Sequence, residues 1–274
     1  MVICLIITLK RKMSGETMKK LVIGLLVIVA IVMGVFVSQS AEKKIEKQMV
    51  IGTIERINLT SQQWDIEILA GDEDKVEVAM AGLITDELLD IKVEGSTLKI
   101  AQKGEQKDYF GGFSFRKSRK IKVWLPKNSE QEITIISQSG SIDIGESTID
   151  KLDCRTESGD ISLSKVTGRT HVIESTHGDI LVSDNQADQL FVRTKSGDIG
   201  FKKFNEKELT EIESEGDEVA ISFHQAPENI TAKLVAKEIE AEVFGKEIDP
   251  QAIKVGEGQN QLTIKNSKGS IVFN

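Results

Sequence analysis

Four aspartates stand nineteen residues apart: Asp160, Asp179, Asp198 and Asp217. If each interval is one winding of the chain, their carboxylates form a column spaced by about 4.8 Å, where two unit charges repel by roughly 1 kcal/mol in water. A divalent cation such as calcium relieves that repulsion, which makes the four the candidate metal ligands. The glycine-rich nonapeptide of calcium-binding rolls is missing. The simpler reading has each Asp accepting hydrogen bonds within its own turn. No metal and no cofactor is assigned.

Other residues able to do chemistry are scattered. His171 falls in an apolar column, His177 in a turn and His224 in an irregular stretch, so no spacing matches a zinc site or a base beside a nucleophile. No catalytic residue is assigned. Cys154 shares a column with Ile and Val and reads as a small buried hydrophobe. With Cys4 ahead of the apolar segment described below, the main domain has no internal disulfide. Arg155, Glu174 and Arg193 alternate in sign at the same interval, an arrangement suited to pairing between neighbouring windings. The stretch KDYFGGFSFRK gathers Tyr109, Phe110, Phe113 and Phe115 around two glycines. Such a loop either grips a glycan, a membrane surface or a partner protein, or plugs the end of the stack; the plug is the favoured reading.

The elements that position these residues are strands. From Met49 to about Lys127, QWDIEIL, DKVEVAM, LDIKVEG, STLKIAQ and RKIKVWLP alternate apolar and polar with period two. A repeat follows, marked by Gly140, Gly159, Gly178, Gly197 and Gly216 at one constant interval of nineteen. Seven before each glycine stand Ile133, Leu152, His171, Leu190 and Leu209; five before are Ile135, Cys154, Ile173 and Val192. Two after come Ile142, Ile161, Ile180 and Ile199, and four after come Ile144, Leu163, Val182 and Phe201. The spacing predicts strand, turn, strand, with the glycine at the turn in a positive φ.

A parallel solenoid and a meander of hairpins both fit this pattern. The unvarying interval favours the solenoid, because a hairpin loop lengthens cheaply whereas a stacked coil cannot gain a residue without a bulge. In the fifth copy, IESEGDEVAI, Ile212 and Val219 are displaced by one, and a bulge there restores the pattern. The expected fold is all-β: a parallel β-solenoid of 19-residue coils, β-helix or β-roll in type, over 49–274, with regular repeats over 133–221 and irregular coils closing the stack.

DIEI, LKIAQKG and IKVWLPKN leading into ISQSGSIDI, then tandem S-G-D-I turns, resemble a bacterial β-strand-repeat family of unknown function labelled "putative adhesin". Among its members the likeness is to the membrane-anchored LiaG type associated with a cell-envelope stress-response module. The resemblance covers roughly residues 50 to 274. It implies an extracytoplasmic β-solenoid-like domain and carries over no catalytic residues.

Lys19 and Lys20 precede LVIGLLVIVAIVMGVFV, seventeen uncharged residues from Leu21 to Val37. As a helix this run is roughly 26 Å long, enough to insert in a bilayer. Lysines on its N-terminal side place residues 1–20 in the cytoplasm, the transmembrane segment at 21–38, a polar linker at 39–48 and the repeat domain outside. Ser38 and Ser40 before Ala41 also offer a signal-peptidase site. A retained anchor is favoured over cleavage and secretion. MKKLVIG from Met18 reads as a natural start, which makes the first seventeen residues a candidate start-site extension.

The net charge is −8; the first twenty residues carry +4, leaving −12 on the rest. An acidic surface without a basic, aromatic-laced stripe excludes nucleic acid as a partner. The expectation is a non-enzymatic module, held on the membrane by its N-terminal helix, meeting an unknown envelope protein or glycan. Its roles would be envelope maintenance, stress response or adhesion. The alternative is a solenoid enzyme or binding protein acting on envelope polysaccharide, which needs paired acids in one groove.

Overall fold

Period-two alternation builds strands with one apolar face, and Glu132–Ser137 shows the rule: Ile133, Ile135 and Ser137 are buried while Glu132, Thr134 and Ile136 face outward. The computed structural model describes residues 49–81, 89–104, 119–127, 130–243, 246–247, 249 and 253–274. Among them all regular structure is β, arranged as one sheet of 12 strands and one of 11. The predicted transmembrane segment, the linker and the aromatic stretch around Tyr109, Phe110, Phe113 and Phe115 lie outside the described residues.

Each coil gives one strand to each sheet. Glu132–Ser137 with Ile142–Gly145 is followed by Lys151–Thr156 with Ile161–Ser164, then Thr167–Ser175 with Ile180–Ser183, then Gln186–Thr194 with Ile199–Phe204. Neighbours pair in parallel, Leu152 lying between Ile133 and His171, and Ile161 between Ile142 and Ile180. The solenoid reading therefore holds and the hairpin meander does not. Across these four coils all four columns are buried, and their apolar members merge into one hydrophobic core between the sheets.

The fifth coil, Leu209–Ser214 with Glu218–Phe223, slips by one residue, as the displaced Ile212 and Val219 predicted. Val192 faces Ile212 and Ile199 faces Val219, an interval of 20, with an irregularity between Phe201 and Phe204. Phe201, Phe204, Phe223 and Phe273 fill this part of the core edge-to-face, with ring centroids 5.7, 5.3 and 5.1 Å apart.

At both ends the spatial order departs from the chain order. Arg56–Ser61 and Asp65–Ala70 lie against the first regular coil, while the later Thr97–Gln102 and Lys120–Leu125 stack outside them. At the far end Asn260–Asn266 and Ser270–Phe273 insert between the fifth coil and the earlier Ile230–Val235 and Glu238–Val243. Antiparallel strands then cover the last parallel ones: Leu89–Glu94 and Val76–Ala81 at one end, Ile253–Val255 and Lys246–Glu247 at the other. Covering a parallel edge in this way blunts a template for aggregation.

One expectation is corrected. The repeat glycines stand at the turns, but none of Gly140, Gly159, Gly178, Gly197 and Gly216 has a positive φ. Proximity requires them instead: a Cβ on Gly178 would sit 2.0 Å from the carbonyl oxygen of Gly159, and one on Gly197 would sit 2.1 Å from that of Gly178. The left-handed residues lie at the opposite corner of each coil, as Glu146, Lys165, Asp184 and Lys203, with φ of 43°, 54°, 51° and 53°. They too recur every nineteen residues.

Candidate interaction surface

The S-G-D-I turn is a stacking device, and most of its serines and aspartates bond to the adjacent coil. Serine before the glycine reaches back: Ser139 Oγ donates to the Gln62 carbonyl at 3.0 Å and Ser158 Oγ to that of Gln138 at 3.2 Å. Aspartate after the glycine reaches forward: Asp160 Oδ1 accepts from the Asp179 N–H at 3.0 Å, Asp179 Oδ1 from the Asp198 N–H at 2.9 Å, and Asp198 Oδ1 from the Glu218 N–H at 2.9 Å. Asp217 contributes its backbone carbonyl, which accepts from the Ser270 N–H at 2.9 Å.

The expectation that each Asp bonds within its own turn is thus corrected; it bonds to the next one. Three of the four carboxylates are engaged by backbone donors. Among the described residues no group of three or more His, Cys, Asp or Glu side chains is arranged to hold a metal.

Sequence reasoning missed a further column. Buried hydroxyls three residues before the glycine cap the turn from inside, Thr156 Oγ1, Ser175 Oγ and Thr194 Oγ1 accepting from the Gly159, Gly178 and Gly197 N–H groups at 3.0, 2.8 and 3.1 Å. The signal was present, since Ser137, Thr156, Ser175 and Thr194 share the interval. In the slipped coil Ser214, two residues before Gly216, makes the same bond at 2.9 Å.

On the outer face of the 11-stranded sheet the charged column forms a ladder. Arg155 pairs with Glu174 at 2.8 Å, Glu174 with Arg193 at 3.3 Å, Arg193 with Glu213 at 2.9 Å and Glu213 with Lys265 at 3.3 Å. All but the partly buried Glu174 are well exposed, so each pair contributes at most about 1 kcal/mol and mainly fixes register. The outer face of the 12-stranded sheet carries a tighter cluster. Glu67 and Asp143 are opposite one another in register, and Lys120 lies 3.5 Å from the first and 3.9 Å from the second. Burial raises the Glu67 pKa, but Lys122 and Lys120 outweigh it and hold the carboxyl below its ordinary value. Desolvation pushes Asp143 up despite Lys120.

The family profile described as Toastrack DUF4097 matches residues 54–249, which include all the regular coils. The chain belongs to this Toastrack family, whose function is unknown. A search of curated proteins found no match. Among solved structures, a "putative adhesin" from Bacteroides fragilis superposes with a TM-score of 0.53 at 14% identity, over 85% of this chain and 98% of that one. A second "putative adhesin", from Parabacteroides distasonis, gives 0.45 at 18% identity, over 84% and 96%. A "putative lipid binding protein" of the same species gives 0.43 at 19%, also over 84% and 96%. At such identities the first likeness is one of fold alone.

Within this toastrack fold His171 and Cys154 lie in the core, and His177 lies exposed at a turn. His171 is fully buried; its Nε2 lies 2.9 Å from the Ile149 carbonyl and its Nδ1 2.9 Å from Asn185 Nδ2. The arrangement fits a neutral imidazole donating through Nε2 and accepting at Nδ1. Burial lowers its pKa. Cys154 is buried, and desolvation pushes its thiol far up, away from reactivity. His177 Nδ1 lies 3.1 Å from the Glu157 carbonyl of the preceding coil.

Proposed function

We propose that this toastrack chain is a non-enzymatic, membrane-anchored module that works outside the cytoplasmic membrane through its surface. Its partner would be an envelope protein or glycan, in envelope maintenance, stress response or adhesion. One observation carries the reading: the repeated serines and aspartates, the residues best placed to form a catalytic array, are engaged in joining coil to coil, and the buried hydroxyls in capping each turn. What the stack offers a partner is a stiff outer face. The lysine-flanked apolar run from Leu21 to Val37 supports the anchored placement.

Protease shaving of intact cells tests this directly. The repeat domain should be degraded from outside while remaining in the membrane fraction before treatment. Protection in intact cells, or recovery of the untreated chain in the soluble fraction, would reject the anchored, outward placement.

Glu67 and Asp143 give the polysaccharide-acting alternative a specific footing, since two neighbouring carboxyls with oppositely displaced pKa values are the arrangement of an acid and a base. Lys120 and Lys122 beside them, on an open sheet face, equally suit a surface ion cluster. Release of reducing ends from envelope polysaccharide, abolished by Asp143→Asn or Glu67→Gln, would establish the enzyme; no release leaves the ion cluster.

A further inference from the structure

Where the 11-stranded sheet runs into the glycine corner, its outer face opens a groove of about 430 Å³. Ile136 lines it and stays 50% exposed, between Thr60 on one neighbouring strand and Arg155 on the other. Gln62, Gln102, Gln138, Glu157 and Thr176 also line it, bringing three amides, a carboxylate and a hydroxyl. Arg155 is held in place: Nε and Nη2 donate to the Asp153 carboxylate at 2.7 and 3.3 Å, and Nη1 lies 2.8 Å from Glu174. A guanidinium so fixed retains N–H groups for a further acceptor.

The chemistry narrows the ligand. An acyl chain needs a long apolar wall, and Ile136 is a single aliphatic side chain. A phosphate finds the charge of Arg155 already balanced by Asp153 and Glu174. An extended peptide adding to a sheet needs an open strand edge, whereas Glu132–Ser137 is paired on both sides. An uncharged sugar chain offers what the groove lacks: a C–H face for Ile136, and hydroxyls and acetamido groups for the amides, Thr60, Thr176 and Arg155.

We propose that this groove binds an uncharged, hydroxyl-rich saccharide segment of the envelope, an assignment that rests on the extracytoplasmic reading above. Calorimetric titration of the full-length chain in detergent with the tetramer of N-acetylglucosamine, and with maltotetraose, tests it. Saturable binding of at least one is expected, weakened at least tenfold by Ile136→Lys and by Gln138→Ala with the melting midpoint unchanged. Val235→Lys, 48% exposed on the same sheet and remote from the groove, should leave the affinity as it was. No binding of either oligosaccharide, or binding indifferent to both groove variants, overturns the assignment. Protease shaving reads the placement independently. An outward domain that binds neither sugar loses the groove alone, and a cytoplasmic domain that binds one loses the placement alone.

Discussion

Each regular coil has two corners, and they use glycine in opposite ways. At one, glycine occupies an ordinary backbone conformation and is required because the preceding coil's carbonyl leaves no room for a Cβ. At the other, Glu146, Lys165, Asp184 and Lys203 take the left-handed conformation that glycine adopts most readily, and no glycine is used. Approach between coils is thus the stricter constraint. A left-handed L-residue costs about 1 to 2 kcal/mol, whereas a Cβ 2 Å from a carbonyl oxygen is impossible without parting the stack. The side chains kept at the left-handed corner return something, since Lys165 pairs with Glu146 at 2.6 Å.

The contrast breaks most sharply at Gly178. Gly178→Ala should destabilise the domain by about 3 kcal/mol, read as a shift in the denaturant midpoint. A variant as stable as the parent would show that the coils can separate there. Next in size is the buried imidazole. His171 has a folded pKa below its unfolded value, so its neutral form supports the fold above about pH 6.5 and that support is lost as the pH falls towards the folded pKa. Denaturant midpoints from pH 8 to pH 5 should fall with a limiting slope of about 1.4 kcal/mol per unit from this group, and His171→Leu should flatten that part.

Asp179→Ala removes the acceptor for the Asp198 N–H and should cost about 1 kcal/mol, while Asp179→Asn keeps an acceptor oxygen and most of the stability. The same pair sharpens the metal question, because a calcium-dependent rise in melting midpoint in the parent, lost in both variants, would restore the aspartate column as a cation site. Smallest is Lys203→Gly. It relieves a φ of 53° but frees the unfolded chain, for a net gain of less than about 1 kcal/mol in chemical denaturation.

What could be read from the chain was what repeats locally. Ile142, Ile161, Ile180 and Ile199 announce both the period and the buried face, and the displaced Val219 announces the bulge. The reason for the glycines was misjudged because torsion and close approach both demand the same residue. The left-handed corner escaped notice because Glu, Lys, Asp and Lys carry no shared signature. The interleaved ends were illegible for another reason: Ile57 lies opposite both Leu98 and Ile133, and nothing local to it says which of two later strands will sit on which side. The groove at Ile136 was equally hidden, since Thr60, Gln62 and Gln138 meet there across 76 to 78 residues of chain.

The interleaving at both ends also constrains how such a molecule can change length. Tandem duplication at a terminus would disrupt a lid built from non-adjacent segments, whereas copying one nineteen-residue unit between Gly140 and Gly197 leaves both lids intact. Each copy would lengthen the rod by about 4.8 Å. The regular coils are therefore where the stack can be lengthened without rebuilding either end.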